Sequence, residues 1–228
     1  GPVSEMTDDG FGEVKVYVQF FRGIPMQIRV KTSMQEVRES LPDRFIHTAM
    51  EAGMASPNLI RERKLVEYGI RYGEPEEIAK EVLDELDAAY DNDRLADLKQ
   101  RAATLGEGEG PAEKRREIPP EEVMEAMQLD DWRKRYAALE QMKLSEKALP
   151  VLEKALQDEK PSIRRLAVVD LGEIGGGQVL PLLYKGLQDS NPSVRRTAGD
   201  ALSDIGNPDA VGPMIKALKD KNKLVRWR

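Results

Sequence analysis

Apolar and polar residues alternate in two short segments near the N-terminus. The segments EVKVYVQF (13–20) and MQIRVKT (26–32) each place every second residue on one side. The apolar positions are Val14, Val16, Val18, Met26, Ile28 and Val30. Alternation of this kind is typical of half-buried strands. The intervening FRGIP contains the Gly and Pro of a turn, so the pattern predicts a β-hairpin.

The period then changes along the same part of the chain. LPDRFIHTAMEAGM (41–54) has helical spacing, RKLVEYGIRYG (63–73) reads as a third strand, and residues 74–102 have the strongest helical stripe of this half. The order ββαβα predicts a small α+β domain over residues 11–105, with helices on one face of a sheet. The hairpin tip carries Phe20, Phe21, Ile24 and Met26, which either pack into this core or form an exposed contact site.

A repeat array follows a segment rich in Gly, Pro and charge. GEGEGPAEKRREIPP (106–120) lacks apolar periodicity and predicts a linker. Beyond it, over residues 121–228, positions recur every 31 residues: Asp158, Asp189 and Asp220; Arg164, Arg195 and Arg226; Leu156, Leu187 and Leu218. Each unit contains two amphipathic helical stretches that cannot both be buried alone. Stacked neighbours bury them, which predicts an all-α superhelical solenoid.

The repeated pattern xVRxxAxxxLxxIG resembles HEAT repeats of the short kind also found in phycobilisome-lyase proteins. The resemblance covers about residues 130–228; its first unit, DDWRKRYAALEQM, departs by one residue in register, and its last unit is expected to be truncated at Arg228. With FGEVKVYVQFFRGIPMQIRV and KLVRWR, the chain is similar to the conserved virulence factor C proteins of Bacillus-like Gram-positive bacteria. That resemblance implies a middle domain followed by HEAT-like repeats. We expect the family's iron–sulfur-scaffold-type N-terminal domain to be missing from this fragment, so nothing about iron carries over to these residues.

Composition narrows the classes of function. The chain has no cysteine, which excludes disulfides and thiol nucleophiles and fits a reducing compartment. No apolar run approaches the ~20 residues of a membrane span, and no signal peptide is visible, so we expect a cytoplasmic protein without a membrane partner. His47 is the only histidine, and no cluster of metal ligands or catalytic residues is apparent. We therefore expect no enzyme activity and no cofactor.

Two adjacent arginines recur near the start of the repeat helices, where the helix dipole disfavours positive charge. One interpretation is an internal ladder, in which Arg164 and Arg195 bind the turn carboxylates Asp158, Asp189 and Asp220. The other is an external anionic partner. We assign the first arginine of each pair to the ladder. The assigned partner-binding residues are Arg165, Arg196, Arg226, Trp227 and Arg228.

The sequence therefore favours a protein-binding scaffold or adaptor whose partner is unidentified. Nucleic-acid binding is the first alternative, because residues 212–228 hold six cationic residues and one acid. The net charge of −6 argues against it for the chain as a whole. The second alternative is an accessory role in iron–sulfur or other metal-linked metabolism, which the family resemblance alone implies.

Overall fold

A computed structural model describes residues 12–54, 63–104 and 116–217 of the chain. They divide into two compact units. Among the described residues, the sheet unit comprises 14–54, 63–69 and 74–104, and the repeat unit comprises 12–13, 70–73 and 116–217. The predicted fold class is confirmed: a small antiparallel sheet region is followed by an all-helical part.

The sheet has four strands in the order β3-β2-β1-β4. They are β1 (Glu13–Phe21), β2 (Ile24–Lys31), β3 (Glu36–Ser40) and β4 (Arg63–Tyr72). Strand β2 pairs antiparallel with both β1 and β3. The alternating valines of β1 are fully buried, as are Ile28 and Val30 of β2. They form one core with apolar residues of α1 (Asp43–Glu51), α2 (Pro75–Ala89) and α3 (Asn92–Ala102).

Two elements of this unit differ from the predicted order ββαβα. Strand β3, EVRES, was not predicted; it is short, charged and at the sheet edge, where little burial is needed to hold a strand. The long helix over residues 74–102 is two helices. Asp91 caps the second of them by accepting a hydrogen bond from the backbone N–H of Arg94 at 2.8 Å.

The hairpin tip packs into the core. Phe21, Ile24 and Met26 are buried, and Phe20 packs against the same cluster. Arg22 (φ 47°) and Gly23 (φ 81°) both have positive φ, as a tight hairpin turn requires. Of the two interpretations of this tip, the core position is the one observed.

The described helices of the repeat unit come in pairs after α4 (Pro120–Ala126). The pairs are α5 (Trp132–Glu140) with α6 (Leu149–Ala155), α7 (Pro161–Ile174) with α8 (Leu180–Gly186), and α9 (Pro192–Ile205) with α10 (Val211–Ala217). The apolar stripe of each first helix is buried, for example at Ile163 and Val194. Second helices pack closely against first helices, as α8 does against α9. A Cβ on Gly186 of α8 would stand 3.0 Å from the Cβ of Ala198 in α9.

The predicted linker falls mostly outside the described residues, as do residues 218–228 at the end of the last repeat. Its final residues, 116–120, are described and form part of the repeat unit. Ile118 forms a parallel bridge with Met142, and Pro120 already belongs to α4. The predicted domain boundaries at 105 and 121 stay a prediction.

Candidate interaction surface

Two ion pairs of the same geometry join successive repeats. Arg135 Nε and Nη2 donate to Asp158 Oδ2 and Oδ1 at 2.9 and 3.0 Å. Arg164 donates in the same way to Asp189, at 2.9 and 3.1 Å. Both pairs are largely buried, with 6–12% of each side chain exposed. Bidentate arginine–carboxylate pairs of this type are strong and directional. We call this set the arginine ladder.

Arg135 and Arg164 of the ladder, and Arg195 at the corresponding position of the next repeat, each bind the turn before their own helix through Nη1. Arg164 Nη1 donates to the carbonyl oxygen of Asp158 at 2.8 Å. Arg195 Nη1 donates to the carbonyl oxygen of Asp189 at 2.8 Å, and Arg135 Nη1 to that of Leu129, also at 2.8 Å. The oxygens of Asp158 and Asp189 follow the second helices α6 and α8, and that of Leu129 follows α4, where a helix leaves carbonyl groups unpaired. For Arg135 and Arg164, acceptor oxygens on both sides therefore offset the unfavourable position of a cation near a helix N-terminus.

The carboxylates of the ladder also shape the turns. Asp158 Oδ1 accepts the backbone N–H of Lys160 at 2.9 Å, and Asp189 Oδ1 accepts that of Asn191 at 2.8 Å. Each carboxylate therefore holds its own turn and the arginine of the preceding repeat. The hydrogen bond that Arg135 donates to Asp158 is the leading cause of a raised pKa of Arg135.

Arg135 is the ladder member that the sequence pattern missed. Asp158 was assigned as a partner of the repeated arginines, and its side chain binds Arg135 of the irregular first repeat. The arginines of the first two repeats are 29 residues apart, whereas the later step is 31. An alignment anchored on the arginine would have found it. Asp220 and Arg226, which would continue the ladder, lie outside the described residues, as do Trp227 and Arg228.

Arg196, assigned to partner binding, has internal partners in the repeat unit. Its Nη1 donates to the Tyr72 hydroxyl at 2.9 Å, and its Nε donates to Asp200 at 3.1 Å. The Glu13 carboxylate lies 3.6 Å from Nη1, and 20% of the Arg196 side chain is exposed. Arg165 is likewise half-buried. Binding of an external partner by these arginines stays a prediction, and for Arg196 it would require exchange of these internal contacts.

A buried carboxylate lies on α7, away from the ladder. Asp170 is fully buried, and Arg116, from the end of the predicted linker, donates to its Oδ1 at 2.6 Å. Burial raises the pKa of Asp170 to about 7, against the opposing effect of Arg116. Glu173 and Glu140 also face it and add to the rise. This pair fixes the incoming segment to α7.

The second helices carry a row of side chains at positions that recur along the stack, and all of them except the half-buried Tyr184 are exposed. Corresponding positions 31 residues apart carry Glu153 and Tyr184, Lys154 and Lys185, and Gln157 and Gln188. We call these six residues of the α6 and α8 segments the second-helix ridge. Lys185 Nζ lies 3.2 Å from Glu153 Oε1, with more than half of both side chains exposed. This repetition is visible in the sequence, but partner binding was assigned mainly to the repeated arginines.

Candidate metal ligands are not clustered in the part of the chain that the structure describes. Among these residues, no group of three or more His, Cys, Asp and Glu side chains is placed to hold a metal ion. No described helix combines the length and apolar character needed to cross a membrane.

Comparison with known proteins gives the relationships of both units. Residues 19–98 match the family described as virulence factor, and residues 120–190 and 180–228 match HEAT repeats. The chain is 49% identical over 166 residues to the uncharacterized protein YpgR of Bacillus subtilis, covering 73% of this chain and 44% of that protein. It is 38% identical over 172 residues to conserved virulence factor C of Staphylococcus haemolyticus, covering 75% and 45%.

The corresponding protein of Staphylococcus aureus strain RF122 is 39% identical over 173 residues, with 75% of this chain and 46% of that protein covered. The resemblance seen in the sequence is thereby confirmed. The chain spans less than half of the length of the curated relatives it matches.

Proposed function

We propose that this chain, a relative of the conserved virulence factor C proteins, is a non-enzymatic cytoplasmic scaffold that binds a protein through its second-helix ridge. The observation that carries the proposal is that different residues of each repeat form the internal contacts and the exposed surface. The ladder arginines are used internally, whereas five of the six ridge side chains are exposed, Tyr184 being half-buried, and the ridge positions recur at the repeat spacing.

A stack held by bidentate ion pairs supports this role because it presents the ridge on a stiff frame. Rigid presentation lowers the entropic cost of binding a partner. The ridge has both charge signs, together with an aromatic ring and two amides. Such a mixture suits the polar rim and aromatic anchors of a protein interface. Tyr184 is already held in place, because its hydroxyl donates to the carbonyl oxygen of Asp209 at 2.9 Å.

Nucleic-acid binding by the repeat arginines has less support. Carboxylates and carbonyl oxygens already bind the guanidinium groups of Arg135 and Arg164. A phosphate would have to displace a buried carboxylate, and the exposed ridge contains Glu153 beside Lys185. An accessory role in metal-linked metabolism rests on the family resemblance alone, and no specific observation favours it.

The test is quantitative affinity purification with the full chain as bait in extract of its source organism. The ridge variant Lys154→Glu/Lys185→Glu reverses two exposed charges. The matched control, Lys80→Glu/Lys134→Glu, reverses two exposed lysines on α2 and α5. We expect at least one protein to be captured by the wild type and the control, with at least tenfold less on the ridge variant and no effect of nuclease.

Two results would contradict the proposal. The first is that every captured protein binds the ridge variant and the control equally. The second is that capture disappears with nuclease, which would favour nucleic-acid binding. Far-ultraviolet circular dichroism of both variants checks that the fold is intact.

A further inference from the structure

On one face of the sheet unit, three successive rows across β1, β2 and β3 contain only polar side chains. The registers of β1 with β2 and of β2 with β3 place three residues in each row. The rows are Lys15–Lys31–Glu36, Tyr17–Arg29–Arg38 and Gln19–Gln27–Ser40. We call these nine residues the polar grid.

The opposite face of the same strands is the hydrophobic core. Its rows include Val16–Val30–Val37, of which the first two are fully buried. Because successive side chains of a strand alternate between faces, the polar grid points away from that core. Lys15, Glu36, Arg38 and Ser40 are exposed; Tyr17, Gln27, Arg29 and Lys31 are half-buried; only Gln19 is buried.

Charges of the same sign lie directly opposite each other in this grid. Lys15 faces Lys31 across β1 and β2, and Arg29 faces Arg38 across β2 and β3. Directly opposed like charges destabilise a sheet, since their Cβ atoms lie about 4.5–5.5 Å apart. A sheet selected for stability alone would carry opposite charges there.

Glu36 offsets only part of this repulsion. Its carboxylate lies 2.9 Å from Arg38 Nε and 4.0 Å from both Arg29 Nε and Lys31 Nζ. The hydrogen bond from Arg38 is the leading cause of a lowered pKa of Glu36, so this acid stays ionised. One carboxylate thus serves three cations, and Lys15 has no carboxylate within ion-pair distance among the described residues. The grid therefore has a net charge of +3 on a chain whose total is −6.

We propose that the polar grid binds single-stranded nucleic acid. The three strands and five residue positions of the grid span about 10 by 13 Å, which is large for one phosphate and suits a short stretch of polymer. Proteins bind single strands by combining cations along the backbone with aromatic rings on which bases stack. Four-stranded sheets can present such rings from their open face.

Tyr17 supplies the aromatic component that a simple anion site would not need. It lies in the central row, beside Arg29 on the neighbouring strand. Lys31 Nζ lies over one face of its ring, 5.1 Å from the centre, so a base would stack on the other face, with this cation close by. The half-buried amide of Gln27 in the next row offers both donors and an acceptor for base edges. This combination favours nucleic acid over an acidic polypeptide.

The test is fluorescence anisotropy of the full chain with a fluorescein-labelled 12-nucleotide oligouridylate, titrated at several salt concentrations. For three effective cations, the slope of log K against log salt is expected near −2, from about −0.7 per phosphate contact on a single strand. Lys15→Gln/Arg38→Gln changes two exposed side chains and should reduce the slope to about −0.7, with at least tenfold weaker binding at low salt. The control Lys80→Gln/Lys134→Gln should stay within twofold of the wild type.

Tyr17 separates stacking from charge. Tyr17→Leu is expected to weaken binding at least fivefold without changing the salt slope, because stacking contributes about 1–3 kcal/mol per base. Tyr17→Phe keeps the ring and should restore binding. Thermal denaturation of each variant shows whether the sheet is intact.

Four outcomes would overturn the proposal. Three of them are absence of oligonucleotide binding at low salt, equal loss in the control and grid variants, and equal binding by Tyr17→Leu and the wild type. If a 12-residue polyglutamate competes as well as unlabelled oligouridylate, the grid binds an acidic polypeptide instead.

Discussion

Removing one member of the Arg164–Asp189 pair should destabilise the repeats far more than removing an exposed ion pair. The change we consider is Asp189→Leu, because Leu129 occupies the corresponding position in the first repeat. It leaves the Arg164 guanidinium without its two carboxylate bonds in a site where 12% of the arginine side chain is exposed. It also removes the acceptor for the Asn191 N–H.

The magnitude follows from burial. Breaking a buried ion pair by removing one partner costs about 3–5 kcal/mol, since it leaves an uncompensated charge. Some solvent reaches Arg164, and its Nη1 keeps the bond to the Asp158 carbonyl, so we expect about 3 kcal/mol. Arg164→Met, which also loses that carbonyl bond, should cost a similar amount. The double variant should cost clearly less than the sum, with a coupling free energy of about 2 kcal/mol.

The matched control is the Glu153–Lys185 pair in the same stack. Its atoms are 3.2 Å apart, but 53% and 57% of the two side chains are exposed. Exposed pairs contribute about 0.2–1 kcal/mol and are screened by salt. The same cycle with Glu153→Gln and Lys185→Gln should therefore give a coupling of about 0.5 kcal/mol that falls further at high salt.

Urea denaturation, followed by circular dichroism at 222 nm, measures the free energies of unfolding for both double-mutant cycles. They are taken from the unfolding transition that the ladder variants shift. Repeat units can unfold separately, so the slopes of the transitions must be compared before free energies are assigned. A coupling for Arg164–Asp189 no larger than that for Glu153–Lys185 would refute the reasoning. So would a cost below about 1 kcal/mol for Asp189→Leu.

Two further predictions concern other charged groups. Arg22→Ala should destabilise the sheet unit by about 2 kcal/mol in urea denaturation, because Arg22 Nη1 donates to the carbonyl oxygens of Ala52 and Ala102 at the ends of α1 and α3. Arg22→Lys, which keeps the charge, should recover part of this loss; a neutral effect of both changes would contradict the assigned role. Asp170 has a pKa raised from 3.8 to about 7 by burial, so the folded state binds a proton that the unfolded state has lost between these pH values. Its contribution to stability is therefore complete below pH ~4 and is lost as the pH rises towards 7, with a slope of at most about 1.4 kcal/mol per pH unit. The stability of Asp170→Asn relative to wild type should increase over this range and level off above it; a difference independent of pH would show that Asp170 is ionised throughout.

The positions of the helices and the central hairpin could be predicted from the sequence because they depend on local periodicity. Each repeat helix buries one stripe, and its apolar residues must recur at helical spacing. The 31-residue step indicates stacking of equivalent units, since a stack buries equivalent positions alike. Strand β3 escaped the pattern because five residues at an edge bury too little to leave a periodic signal.

The partners of the charged side chains were decided by tertiary structure. The sequence indicates that Arg164 and Arg196 need anions, but it does not show which anion each reaches. The offset between stacked helices brings Asp189 to Arg164. The tertiary fold brings Tyr72 to Arg196, although 124 residues separate them in the sequence.

The polar grid shows the same limit in the sheet. Because successive side chains of a strand point to opposite faces, the sequence of β1 indicates that Lys15 and Tyr17 share a face. It does not tell which residues of β2 and β3 lie beside them, because cross-strand register depends on the turns and on the irregularity between Gln19 and Phe20. The sequence by itself determined which residues share a face within an element. Only the tertiary structure decided which faces and charges meet between elements, because those contacts depend on distances set by packing rather than by order along the chain.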